Sequence, residues 1–215
     1  MNNFYKKALF PIHIFQINIL ENKLILDNLL TEIQTIYQNK KLEIPDGWLT
    51  DKLYTTFEHD TINKVLFGPH SIVHEYYSKY VQKMFDEEVK IIVDDIWLNV
   101  YENGEFQEEH NHLAYHINMV RPYFSCIHYL KFDEENHEPV RFTDPMTEMR
   151  FNGFEMNSNN YSHQYKPKIR EGDLLMFPPY LKHLVPKSKP TPDNQRITIA
   201  FNIRLLDYGE QKHGN

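Results

Sequence analysis

With 215 residues, 41% of them hydrophobic and 25% charged, the chain is large enough to bury one substantial core. Its 14 Tyr and 14 Phe exclude a disordered or low-complexity chain. A net charge of −7 argues against a nucleic-acid binder working by bulk charge, and a lone cysteine, Cys126, excludes an internal disulfide or a cysteine zinc site and fits a reducing compartment.

Leu9 to Leu20 is apolar, but Pro11, His13, Gln16 and Asn18 interrupt it, so it reads as neither a signal-peptide core nor a membrane span. A soluble, cytoplasmic protein is expected. Ile12, Ile14, Ile17 and Ile19 come close to period-two alternation and predict a strand over Phe10–Leu20. From Glu21 to Gln38, the positions Leu26, Leu29, Leu30, Ile33, Ile36 and Tyr37 form one helical stripe, and Ile72, Val73, Tyr76, Tyr80 and Met84 form a second. Two amphipathic helices are therefore expected, their apolar faces needing cover from a sheet or from a second copy of the chain in a homodimer. Pro45-Asp46-Gly47 between them is a turn signal.

After about residue 91 the sequence changes to short β-branched and aromatic runs separated by Asn, Gly, Asp and Pro, the pattern of a β-sandwich or barrel. The predicted strands are Ile91–Tyr101, Phe106–His112, Phe124–Phe132, Val140–Phe142, Leu174–Phe177, His183–Pro186 and Arg196–Leu205, with Asn103-Gly104 as a tight turn. Asn157–Asn160 and Lys187–Asn194 read as surface loops. The expected organisation is a single domain over residues 1–215: residues 1–90 supply an N-terminal strand and supporting helices, and residues 91–206 form the β body.

Twelve histidines scattered at random would give about 0.7 His-x-His pairs, so His110-Asn111-His112 is weak taken alone. On a strand, period two puts both imidazoles on one face, the geometry that chelates a metal; the plainer reading is two polar residues on a solvated edge. His70 and His74 are spaced i, i+4, yet the segment lacks the second histidine of an H-E-x-x-H motif, and a solvated helix face is the better reading there. Glu108 precedes His110 by two and is an outside candidate for a metal carboxylate. Downstream, Glu171-Gly172-Asp173 introduces a strand, His183 follows, and Arg196-Ile197-Thr198 lies 13 residues beyond His183, an arginine suited to fork onto a carboxylate.

Together with Tyr101-Glu102-Asn103-Gly104 and Ser125-Cys126-Ile127-His128-Tyr129-Leu130, this order resembles the Fe(II)/2-oxoglutarate oxygenases. The nearest branch is the prolyl-hydroxylase-like one common in bacteria and phages, whose motifs read Trp-x-Asn, His-x-His, Ser-Gly-x-x-Tyr and Arg-x-Ser/Thr-x-x-Phe-Asn. The resemblance spans residues 97 to about 206, with an echo at Leu9-Phe10-Pro11. It implies a double-stranded β-helix (a cupin-like jelly roll) with N-terminal helices packed on its major sheet, a site holding Fe(II), and 2-oxoglutarate and O2 as co-substrates. It implies further that His110, His112 and His183 are the metal ligands, with His112 where many relatives carry aspartate. Arg196 becomes the 2-oxoglutarate clamp, Thr198 stands beside it, and Tyr129 and Tyr101 are hydrogen-bond donors to the co-substrate.

The implied activity is hydroxylation of a peptide prolyl residue or a small molecule, with 2-oxoglutarate converted to succinate, in the cytoplasm of a bacterial or phage-infected cell. Two alternatives stand beside it: a three-histidine, cupin-type dioxygenase that needs no 2-oxoglutarate, and a non-catalytic metal-binding jelly-roll module. Arg196 has no job in the first. A shifted register would make His112 the first ligand and put Ala114 at the carboxylate position, as in halogenase-like members. Cys126 stands where the family's glycine is expected, which loosens that turn of the motif, and a long segment with Tyr115-His116-Ile117-Asn118 separates His112 from Tyr129.

Overall fold

The computed structural model describes residues 11–39, 41–50, 53–68, 71–102, 104–113, 122–147, 162–189 and 195–206. In chain order these form β1 (Phe15–Asn18), a 3-10 turn (Leu20–Asn22), α1 (Lys23–Asn39), β2 (Tyr54–Thr55), α2 (Asp60–Phe67) and α3 (Ile72–Gln82). There follow β3 (Lys90–Tyr101), β4 (Gln107–His110), β5 (Phe124–Lys131), β6 (Arg141–Thr143), β7 (Gln164–Tyr165), β8 (Asp173–Phe177), β9 (His183–Val185) and β10 (Arg196–Leu206). The strands make a six-stranded sheet in the order β1-β8-β5-β10-β3-β2 and a four-stranded sheet in the order β4-β9-β6-β7, with antiparallel neighbours in both. No helix among the described residues is long and apolar enough to cross a membrane.

Alternation along the central strands separates two interiors. Cys126 and Leu130 on β5, Leu174 and Met176 on β8, Leu98 and Val100 on β3, and Ile197, Ile199, Phe201 and Ile203 on β10 all face the helices, where they meet Leu26, Leu29 and Ile33 of α1 and Tyr77 and Tyr80 of α3. The residues between them look the other way: Ile127, Tyr129, Leu175 and Phe177 pack with Phe142 from the second sheet and with Leu181 from the turn before β9. The candidate site lies on that second side.

Several expectations are corrected in detail. Among the described residues of the first predicted run, Phe15–Asn18 is the strand, paired with β8. Three α-helices are present among the described residues where two were expected. α2 buries Ile62, Leu66 and Phe67, an i, i+4 pair and its neighbour too short to register as a periodic stripe. Ile72 begins α3 but is 61% exposed, while Tyr77, outside the predicted stripe, is fully buried. Cys126 sits mid-strand in β5, paired with Phe201 and Met176, so the position is core filling and no turn is loosened there. β2 and β7, two residues each, carry no sequence period. Leu9, Phe10, Asn103, the 157–160 loop and residues 190–194 lie outside the described residues.

One buried pair crosses from helix to sheet: Tyr77 Oη and His128 Nδ1 share a hydrogen bond of 2.8 Å, and both residues are 0% exposed. Burial lowers the His128 pKa from 6.5 to about 3, so as pH falls the unfolded chain takes up this proton first. The stability held by the neutral imidazole is complete above pH 6.5 and declines from there toward pH 3, by up to about 1.4 kcal/mol per pH unit. Urea unfolding between pH 7 and pH 4 should therefore show a steeper acid loss for the wild type than for His128→Asn, which keeps a polar partner for Tyr77 and does not titrate.

Candidate active site

Between the two sheets, side chains from β3, β4, β5, β9 and β10 line one pocket, which includes Tyr101, His110, His112, Tyr129, His183, Arg196 and Thr198. The seven residues to which the resemblance gives roles are thus brought together. His110 and His183 are paired across β4 and β9, and their ring centroids are 4.3 Å apart. β4 ends at His110, two residues short of the predicted strand, so strand alternation does not aim His112. Instead its backbone N–H donates to the Pro179 carbonyl at 2.9 Å, in the turn that leads into β9. That bond brings its ring to 5.1 Å from His183 and 5.5 Å from His110.

One ring nitrogen from each of the three histidines lies within 4.8 Å of the other two, and no Asp or Glu joins the group among the described residues. Each Nδ1 already has a partner: the Glu108 carbonyl at 2.8 Å for His110, the Leu181 carbonyl at 3.0 Å for His183, and Asn202 Oδ1 at 2.9 Å for His112. Carbonyl oxygens only accept, so Nδ1 carries the proton in each ring and Nε2 is left with its lone pair exposed to the cluster. Burial lowers all three pKa values; His112 falls to about 4, with the His110 charge adding to the shift, and His183 is held well below its ordinary value. Three neutral imidazoles facing one point are a nitrogen donor set suited to a divalent transition metal.

Glu108 is elsewhere engaged. Its Oε1 accepts the Leu49 N–H at 3.1 Å, and it is not part of the histidine group. His74 lies against the Val93 carbonyl, while its predicted partner His70, like Ala114 and the 115–118 segment, is outside the described residues.

Deeper in the pocket, β10 pairs with β3 and β5 so that three cross-strand rows face inward: Arg196 with Tyr101, Thr198 with Asn99 and Tyr129, and Ala200 with Trp97 and Ile127. Arg196 is 1% exposed. Its guanidinium stacks 4.1 Å from the Tyr101 ring centroid, and Nη1 donates to the Glu138 carbonyl. Nε and Nη2, the two donors of its other edge, are shielded from solvent and have no partner among the described residues. Burial pulls the Arg196 pKa down against the opposing fields of Tyr101, Tyr129, Glu138 and Glu105, but a guanidinium remains a cation at neutral pH. A buried cation with two parallel donors unused is costly, and a carboxylate is the group that fits that edge. Tyr129 accepts the Val140 N–H through its hydroxyl oxygen and keeps its own proton to donate, burial having pushed its pKa up to about 12. Tyr101 donates to Gln107 Oε1 at 3.1 Å. Its hydroxyl proton is spent, and its ring serves as the platform under Arg196.

A 2OG-Fe(II) oxygenase family model matches residues 95–202, half of the chain. The chain belongs to the 2OG-Fe(II) oxygenase family. It is an oxidoreductase that uses iron and 2-oxoglutarate, which sets aside the cupin-type and non-catalytic alternatives. No curated protein matches the sequence. Among solved structures, the oxygenase resembles a prolyl-4-hydroxylase from Pseudomonas putida at a TM-score of 0.56, with 11% identity, covering 90% of this chain and 92% of that one. It also resembles HygX from Streptomyces hygroscopicus, solved with nickel and 2-oxoglutarate, at 0.53, with 12% identity over 89% and 82% of the two chains. A third, the non-heme alpha-ketoglutarate-dependent epimerase SnoN from nogalamycin biosynthesis, matches at 0.56 with 9% identity over 90% and 78%. At such identities the likeness is one of fold.

The residues missed from sequence are Gln107 and Trp97 as lining of this pocket and Asn202 as the partner of His112. Asn202 and Trp97 fall on the inward-facing positions of β10 and β3, so period two counted from Arg196 and Tyr101 would have found them. The tautomer assignment is directly measurable. Nitrogen-detected NMR of the metal-free oxygenase should show protonated Nδ1 and bare Nε2 for His110, His112 and His183 at pH 7, with the His112 titration midpoint near pH 4.

Proposed function

We propose that His110, His112 and His183 hold Fe(II) through their Nε2 atoms, and that Arg196 receives the far carboxylate of 2-oxoglutarate on its Nε/Nη2 edge. The observation that carries this reading is the unused fork of a fully buried arginine in the same pocket as the histidine cluster. The two antiparallel sheets enclosing that pocket support reading residues 91–206 as a double-stranded β-helix, within a single domain whose earlier strands extend the major sheet. The bound iron, with O2 and 2-oxoglutarate, supplies the oxidising power to hydroxylate a C–H bond of the primary substrate, 2-oxoglutarate leaving as succinate and CO2.

The chain's own residues prepare that chemistry in four ways. The Nδ1 acceptors fix each imidazole in the ligating tautomer and orientation, so no proton has to leave for metal to bind. Arg196 and Tyr129 orient the co-substrate by charge-assisted and neutral hydrogen bonds, while the Tyr101 ring keeps the guanidinium in place. Trp97, Phe142 and Phe177 wall the histidines and keep bulk water from them. Three neutral ligands leave the metal's full charge to be balanced by the dicarboxylate, which ties metal and co-substrate affinity together. A peptide prolyl residue and a small molecule both remain within this reading as primary substrate.

Anaerobic titration of the Fe(II)-loaded protein with 2-oxoglutarate, followed by a succinate assay in air, tests the reading. Alanine at His110, His112 or His183 should cut iron loading sharply. Arg196→Met should weaken 2-oxoglutarate binding at least ten-fold, about 1.4 kcal/mol, with iron content nearly unchanged, and Arg196→Lys should recover only part of it. Unchanged 2-oxoglutarate affinity in the Met variant would remove the clamp.

The bond from His112 to Asn202 gives a separate expectation. Asn202→Leu should lower iron affinity by about 10–100-fold, and Asn202→Asp, which still accepts the Nδ1 proton, should retain most of it by the same titration.

A further inference from the structure

Past His110 and His112, on the side away from Arg196, the site opens into a groove that the steps above do not use. Its wall is a succession of rings: Trp48 to Phe57 at 5.6 Å, Phe57 to Trp97 at 5.2 Å, and Trp97 to His112 at 5.5 Å between centroids. Its rim is acidic. Glu58, Asp60 and Asp95 are exposed and Glu108 is half-buried, and no Lys or Arg stands among the described residues that line it. Arg204, which feels the charge of Asp95, is bound to Asp94 through both carboxylate oxygens.

Two of these acids are held in a backbone conformation that costs energy. Glu58 and Asp95 are the two described non-glycine residues with positive φ, at 65° and 41°. Asp95 sits on a bulge: Ala200 faces Trp97 while Asn202 faces Asp94, so β3 carries one residue more than β10 there, and the bulge turns Asp95 out of the alternation toward the groove. Glu58 follows Thr56, which is pinned by Asn63 through two hydrogen bonds and by the Leu98 N–H. A further observation points to a ligand. Glu108 Oε2 is shielded from solvent and lacks a donor among the described residues, and the Nε1–H of Trp97, a residue only 6% exposed, lacks an acceptor among them. A hidden carboxylate oxygen without a donor calls for one from outside.

We infer that this groove takes an aliphatic chain ending in an ammonium or guanidinium group, the chemistry of a lysine or arginine side chain. The inference rests on the catalytic reading above, since the His110/His112 end of the groove is where that chain meets the metal. The methylenes lie along Trp48 and Phe57, the cation sits among Glu58, Asp95 and Glu108, and aromatic faces beside carboxylates favour such a group twice over, by ring quadrupole and by charge. An anionic substrate would be repelled at the same rim.

Trp48 and Trp97 are the chain's two tryptophans, and both line the groove, so intrinsic fluorescence reports its occupancy without turnover. The Fe(II)- and 2-oxoglutarate-loaded protein, kept anaerobic, is titrated with Nα-acetyl-lysine amide, a tetralysine peptide, and the Nε-acetylated form of each. Saturable emission changes are expected with a charged probe, at least ten-fold weaker after Nε-acetylation and weakened by salt. Response to both charged probes places recognition at the single side chain; response to the peptide alone places it in a chain context. Glu58→Gln combined with Asp95→Asn should weaken binding at least three-fold. Equal affinity for charged and acetylated probes overturns the inference, and this comparison uses wild-type protein, so variant folding does not enter it. An unchanged affinity in the folded double variant overturns it as well. Iron content and 2-oxoglutarate binding measured on the same samples separate the two readings: their loss with a retained charge preference condemns the catalytic assignment and upholds the cation groove.

Discussion

β10 is an eleven-residue strand hydrogen-bonded on both sides, to β3 and to β5, and its alternation governs both faces of the protein. Ile197, Ile199, Phe201 and Ile203 must point one way into the helix-backed core, so Arg196, Thr198, Ala200 and Asn202 must point the other way, between the sheets. Slipping the register by one residue would bury the guanidinium among the tyrosines of α3 and turn the isoleucines into the pocket. The hydrophobic core thereby aims the polar site, and the energy that holds Arg196 in a dry place comes from the apolar residues on either side of it in sequence.

Electrostatically, the pocket is built from neutral and positive parts. The three imidazoles are kept uncharged by burial, and the buried Arg196 has one edge satisfied by a backbone carbonyl and the other open. Such a site is poorly satisfied by water and well satisfied by a divalent metal together with a dicarboxylate, the pair that the family uses. Four acids, Glu58, Asp60, Asp95 and Glu108, instead line the groove beyond the histidines. Under the proposed assignments, that separation gives the anionic co-substrate and a cationic primary substrate different ends of the site, so neither competes for the other's place.

Irregular backbone does the remaining positioning. A bulge in β3 re-aims Asp95, and the chain beyond β4 carries His112 on a backbone bond to Pro179 where a regular strand would have carried it by alternation. Both departures occur where a strand passes the site, which is where a regular strand offers too few directions for its side chains.

Much of this was legible in the chain itself. Helical stripes identified α1 and α3, two-residue periods identified the long strands, and the order His110, His112, His183, Arg196 carried the family resemblance and its iron and 2-oxoglutarate. These are local patterns, set by the geometry of a helix or a strand within a few residues. What only the tertiary structure decided rests on partners far apart in the chain. His112 takes its tautomer from Asn202, 90 residues away, and Arg196 spends one edge on the carbonyl of Glu138, 58 residues away. The spent hydroxyl of Tyr101, and the edge of that arginine and the oxygen of Glu108 that find no partner among the described residues, exist only once solvent has been excluded. Desolvation and long-range pairing are properties of the packed molecule, and no local pattern of residues encodes them.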